Sequence, residues 1–120
     1  DILSDLCAGL IGGLGLAPSA QYGEHAAVFE AVHGTAPDIA HKSVANPTAL
    51  IMASVAMLRH IGQGEVAERV KHAIIEALKH PERRTRDLGG PAGTMQFAGY
   101  LLDLLESGES DRADVGAAAL

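Results

Sequence analysis

The sequence predicts an α/β chain, rich in helix with few strands. Apolar residues recur at helical spacing over residues 1–10, 46–62, 65–80 and 94–105. One apolar run of strand length, Ala26-Ala27-Val28-Phe29-Glu30-Ala31-Val32, stands apart from them. Glycine and proline punctuate the intervals, as expected where helices and strands stop.

Composition bounds the function. The 120 residues suit one domain at most, with 48 % hydrophobic and 20 % charged residues, an ordinary globular balance. Only two Tyr and two Phe are present, so the core must be built from Leu, Ile, Val and Ala. A formal charge of −6, with nine scattered Lys and Arg, argues against a nucleic-acid partner. Cys7 is the single cysteine, which excludes an intrachain disulfide and fits a reducing compartment. No apolar run reaches the length needed to span a bilayer, and no membrane partner is expected.

The first helix is expected over Asp1 to Leu10, with Leu3, Leu6, Cys7 and Leu10 on one face. Asp1 and Asp5 lie one turn apart on the opposite face. They can be solvated acids favoured by the helix dipole, or two oxygen ligands for a hard divalent cation. Gly12-Gly13-Leu14-Gly15-Leu16-Ala17-Pro18 stops this helix. It is not a dinucleotide fingerprint, because Pro18 stands where the third glycine should be and no strand precedes it.

Residues 22–25 read as a loop and Ala26 to Val32 as a mostly buried strand. Glu30 shares a face with Val28 and Val32, so it lies at an exposed edge or faces a pocket. The strand delivers the small-residue loop His33-Gly34-Thr35-Ala36-Pro37-Asp38-Ile39, which Asn46-Pro47-Thr48 closes. A strand, a loop of small residues and a helix start can hold a nucleotide, though a plain connection has the same ingredients. His33, at a strand end, is by itself better suited to a structural hydrogen bond than to catalysis.

Asn46 and Pro47 are expected at the N-cap and first position of the second helix. Leu50, Ile51, Val55 and Leu58 form its buried stripe, Met52 and Met57 fill the core, and Gly62 ends it. A third helix spans about Glu65 to His80, with Val66, Val70, Ile74, Ala77 and Leu78 inward, and Pro81 terminates it. Thr94 is expected to cap a last helix carrying Phe97, Leu101, Leu104 and Leu105. The segment 108–120 turns acidic and then alanine-rich, without a packing pattern, and is expected to be a disordered tail.

Three blocks carry a family resemblance. They are DILSDLCAGLIGGLGLAPSA, HGTAPDIAHKSVANPTAL and RTRDLGGPAGTMQFAG, in that order from Asp1 to about Leu105. Together they resemble the β-decarboxylating dehydrogenases, the family of isocitrate, isopropylmalate and homoisocitrate dehydrogenases. The fold implied is the C-terminal part of the isocitrate/isopropylmalate dehydrogenase-type fold, occupying residues 1–107. The chain starts inside the family's metal motif, without Met or signal peptide, and is expected to be the C-terminal third of a longer protein.

The resemblance implies specific roles. Asp1 and Asp5 match metal-binding aspartates for Mg2+ or Mn2+, a third coming from another subunit. His33, Gly34, Thr35, Ala36, Pro37, Asp38, Ile39 and Asn46 match the adenosine side of an NAD site. Glu30 falls near the nicotinamide half, and Thr85 to Gly90 pass the adenosine pocket. NADP-using relatives carry Lys then Tyr where this chain has Asp38 and Ile39, which implies NAD. The substrate arginines, the general-base lysine and its tyrosine lie outside the matching blocks, and Tyr22, Tyr100 and Lys42 do not replace them.

The activity implied is oxidation and decarboxylation of a 2-hydroxy acid bearing a 3-carboxylate, with isocitrate favoured by APSAQYGEHAAVFEAVHGTAP and ANPTALIMASVAMLRHIG. The isopropylmalate and homoisocitrate branches are the alternatives, and His41 departs from the Gly common to both main branches. A second class of reading is a non-catalytic regulatory subunit of the same fold. Retention of Asp1, Asp5 and Asp38 weighs against it. A homodimer or higher homo-oligomer is implied, in the cytoplasm or the mitochondrial matrix.

Overall fold

The computed structural model describes residues 2–10 and 12–108. Asp1 and the segment 109–120 therefore lie outside the described residues, the latter holding most of the expected tail. Among the described residues there are four α-helices and one hairpin: α1 (Ile2–Leu10), β1 (Pro18–Tyr22), β2 (Ala27–Ala31), α2 (Thr48–His60), α3 (Gly64–Lys79) and α4 (Thr94–Ser107). Short 3-10 turns at Leu14–Leu16, Pro37–Ile39, Pro81–Arg83 and Arg86–Leu88 join them. No described helix is long and apolar enough to cross a membrane.

The core is where α2, α3 and α4 meet. Phe97, Leu101 and Leu104 of α4 pack on Ala73, Ile74 and Ala77 of α3, with Ile51 and Met52 of α2 closing the cluster. The buried face of α2 is Thr48, Ala49, Ala53 and Val55. That of α3 is Ala67, Ala73, Ile74 and Ala77. Alanine lets helix axes approach closely, and larger neighbours are left outside. Leu50, Val66 and Met57, expected inward, are exposed for this reason.

The hairpin differs from expectation in two ways. Pro18–Tyr22, read as turn and loop, is a strand paired antiparallel to Ala27–Ala31, with Ala20 opposite Phe29. A strand of such mixed composition exists because its partner supplies the ladder and α2 covers one face. The other difference is burial: β2 alternates, with Ala27, Phe29 and Ala31 half-buried and Val28 and Glu30 exposed. Glu30 accepts a hydrogen bond from Gln21 Nε2 at 2.7 Å across the hairpin, so the exposed placement is the correct one.

Phe29, Tyr22 and His60 form a ring cluster that pins the hairpin to the end of α2, with centroids 5.4–5.8 Å apart. Beyond it the helix stops in a Schellman turn. Gln63 N–H donates to Leu58 O at 2.8 Å and Gly62 N–H to Arg59 O at 3.1 Å. Gly62 has φ +82°, a conformation that suits glycine.

The helix starts are shifted by one residue from the sequence reading. Pro47 is the N-cap of α2, while Asn46 Oδ1 accepts from Thr48 N–H at 3.0 Å and supplies the expected side-chain cap from one position earlier. Gly93, not Thr94, precedes α4, and its N–H donates to Gln96 Oε1 at 2.9 Å. Thr94 is thereby free for another task.

Candidate functional site

A cleft of about 630 Å³ opens between the loop 33–46, the turn at Gly15, and the segments around Asp87 and Met95. Its size falls in the range of small-molecule and cofactor sites. The strand β2 ends at Ala31, and the chain then runs through small residues with little side chain to fill the space. Val32 N–H donates to Ala17 O at 3.2 Å, which sets the start of this loop beside the Leu14–Leu16 turn.

The loop is held in an uncommon shape. Ala36, His41 and Ser43 all have positive φ, at 42°, 62° and 52°. Left-handed backbone costs a residue with a Cβ about 1–2 kcal/mol. Three such residues in eight persist only where surrounding bonds impose them. Those bonds are visible. Thr94 N–H donates to Ser43 O at 2.8 Å, and Thr94 Oγ1 donates to Ala45 O at 2.6 Å. The first turn of α4 is in this way fastened to the loop.

Of the residues expected to hold a cofactor, His33, Gly34, Thr35, Ala36, Ile39 and Asn46 line the cleft together. Pro37 and Asp38 do not; they sit on the exposed 3-10 turn at its edge. The left-handed Ala36 swings them there, and Ile39 N–H closes the turn on Ala36 O at 3.1 Å. His33 Nδ1 lies 3.0 Å from Gly34 O. A carbonyl only accepts, so this bond requires the proton on Nδ1 and leaves Nε2 as the acceptor of the neutral ring.

Sequence reasoning did not assign Ser43, Val44, Ala45, Thr94 or Met95 to the cleft they line. Asp87, expected in a segment passing the pocket, lines it, and so does Gly15. The signal for the others was their place inside the second and third blocks. Glu30 is not a lining residue. For the metal pair, Asp1 lies outside the described residues and only the backbone of Asp5, on α1, is described. Among the described residues no three His, Cys, Asp or Glu side chains converge as metal ligands.

The sequence pattern of isocitrate/isopropylmalate dehydrogenase matches residues 1–100. The chain belongs to that family. Within it, mitochondrial NAD isocitrate dehydrogenase subunit 2 of Schizosaccharomyces pombe is 52 % identical over 107 residues, covering 88 % of this chain and 28 % of that protein. The 3-isopropylmalate dehydrogenase of Archaeoglobus fulgidus is 54 % identical over 106 residues, covering 88 % and 32 %. The crystal structure of isocitrate dehydrogenase from Methylococcus capsulatus superposes with a TM-score of 0.83 at 52 % identity, covering 87 % of this chain and 31 % of that one. The helix-rich, two-strand architecture is thus part of the isocitrate dehydrogenase fold. The chain spans about a third of the length of these relatives. Relatives of both activities are similar to the same degree, so likeness fixes the family and not the substrate.

Proposed function

We propose that this chain forms the adenosine side of the cofactor site in an NAD-dependent dehydrogenase that oxidises and decarboxylates a 2-hydroxy acid with a 3-carboxylate, isocitrate foremost. One observation carries the proposal: six of the eight residues matched to a cofactor site line one cleft, on a backbone fixed from α4. Small residues at Gly34, Thr35 and Ala36 let a ligand approach the main chain, which adenosine and its phosphates require.

Asp38 stands at the edge of that cleft, exposed, between the lining residues Ala36 and Ile39. Its carboxylate can accept from both hydroxyls of an adenosine ribose, and the same charge repels a phosphate on the 2′ oxygen. One charge-assisted hydrogen bond contributes about 1.5–3 kcal/mol, so the preference for NAD should reach about one to two powers of ten before repulsion is counted.

Asp5, and Asp1 before it, would hold Mg2+ or Mn2+ through carboxylate oxygens, which hard cations select. A metal held there would supply Lewis acidity to the oxygen of the substrate that is oxidised. The chain's own contribution on the cofactor side is positioning.

The test is kinetic, in the complete enzyme that carries this chain. Wild type should show a kcat/KM for NAD well above that for NADP, and Asp38→Lys with Ile39→Tyr should erode or invert the ratio. Asp5→Asn should raise the metal requirement and lower turnover by orders of magnitude. Preference for NADP in the wild type, or a ratio that the double change leaves unmoved, would remove the NAD assignment.

A further inference from the structure

Asn46 has both ends of its amide committed. Oδ1 accepts from Thr48 N–H at 3.0 Å, and Nδ2 donates to Asp87 Oδ2 at 2.9 Å. Flipping the amide would set its NH2 against the Thr48 N–H and its oxygen against a carboxylate, two repulsive contacts in place of two bonds. The pair therefore allows one orientation. Asp87 comes from the Arg86–Leu88 turn, 41 residues away in sequence, so this is a tertiary lock and not a local turn.

The third member is Gly15. A Cβ built there would lie 3.2 Å from Asp87 Oδ2 and 3.4 Å from Asn46 Cβ. Glycine at 15 lets the Leu14–Leu16 turn rest against the bonded pair without displacing it. All three residues line the same cleft.

We infer that Asp87 is a positioning residue for the cofactor site: it fixes the Asn46 amide so that its second N–H, the one donor left over, is presented to the ligand. This rests on the dinucleotide reading of the cleft. Asp87 acts through Asn46, and its charge makes the bond to Nδ2 stronger than a neutral acceptor would. Without it, the amide keeps only the bond to Thr48 and turns about its last torsion, so the donor is no longer aimed.

The complete enzyme that carries this chain supports two readouts. The first needs no ligand: in an NMR spectrum, one side-chain NH2 proton of Asn46 should be shifted and protected from exchange, and Asp87→Ala should return it to the free-amide position. The second is NAD affinity by titration. Asp87→Ala should weaken binding by about tenfold, the scale of one charge-assisted bond, and Asp87→Asn should recover most of it because its amide oxygen still accepts. In an Asn46→Ala background, Asp87→Ala should cost nothing further. Additive losses, or an Asp87→Asn loss equal to that of Asp87→Ala, would overturn the inference. A wild-type enzyme that shows the shifted Asn46 proton but does not bind NAD would instead remove the dinucleotide reading.

Discussion

Thr94 Oγ1 donates to Ala45 O across 2.6 Å, joining two residues 49 apart in sequence. The backbone N–H of the same residue holds Ser43 O at 2.8 Å, so one turn of α4 grips two carbonyls of the loop 33–46. Thr94→Val keeps the shape and the backbone bond and removes only the hydroxyl. It should lower stability by about 1 kcal/mol, the usual net worth of one hydrogen bond, seen as a lower urea midpoint at constant slope. Gly93→Ala should cost more, since the added Cβ would sit 2.8 Å from Ser43 O and push the loop away. If the two substitutions prove equally mild, the loop is not held from α4.

Phe97 is fully buried where α3 and α4 meet. Truncation to Ala leaves a cavity inside this cluster, lined by Ile74, Leu101 and Leu104. The expected loss is about 3–5 kcal/mol, a large share of the stability of any small domain. Chemical denaturation measures it directly, and a loss under 1 kcal/mol would mean that the helices repack.

Arg59 Nε donates to Glu68 Oε1 at 2.9 Å, with Nη2 on the same oxygen, and ties the end of α2 to α3. This bond, above all, holds the Glu68 carboxyl below its ordinary value of 4.5; a hydrogen bond from Lys79 does the same for Glu76. A lowered folded-state value stabilises the fold above the unfolded value and loses that contribution as pH falls through the folded one. Stability should therefore decline from about pH 4.5 downward. Glu68→Gln should flatten part of that decline, and salt should weaken it, because both partners are half exposed. An acid limb identical in the variant would show that the pair contributes nothing.

The first helix presents Ile2, Leu3, Leu6 and Leu10 to solvent, each more than 60 % exposed. A contiguous apolar face of this kind favours association. The chain by itself should sediment as self-associated species, and Leu3→Lys with Leu10→Lys should shift it towards monomer. A clean monomer at high concentration would count against the prediction.

The helices were legible because their apolar periodicity survives whatever packs against them. Which large residues are buried was not, as Leu50 and Val66 show: the close contacts of α2 and α3 run through alanines, and alanine spacing gives a weak signal. Strand β1 escaped notice because Pro18, Ser19 and Gln21 have little strand preference, and only pairing with β2 makes them extended. The loop 33–46 was readable as a motif, and six of the eight residues singled out in it line one cleft. The bonds that shape it were not, since Asn46–Asp87 and Thr94–Ala45 join residues more than 40 apart.

The cleft is walled by Gly15, the loop from His33 to Asn46, Asp87 and Met95, drawn from most of the chain's length. The loop supplies most of the lining, but its shape and the opposite walls come from Gly15, Asp87 and the start of α4, so the cleft is complete only when these segments have assembled. Whatever occupies the cleft binds only the finished form, and by mass action each tenfold excess over its dissociation constant deepens the native well by about 1.4 kcal/mol. Occupancy is in that sense a brake on unfolding, and a melting temperature that climbs with ligand concentration would report at once on the assembly of the cleft and of the helices behind it.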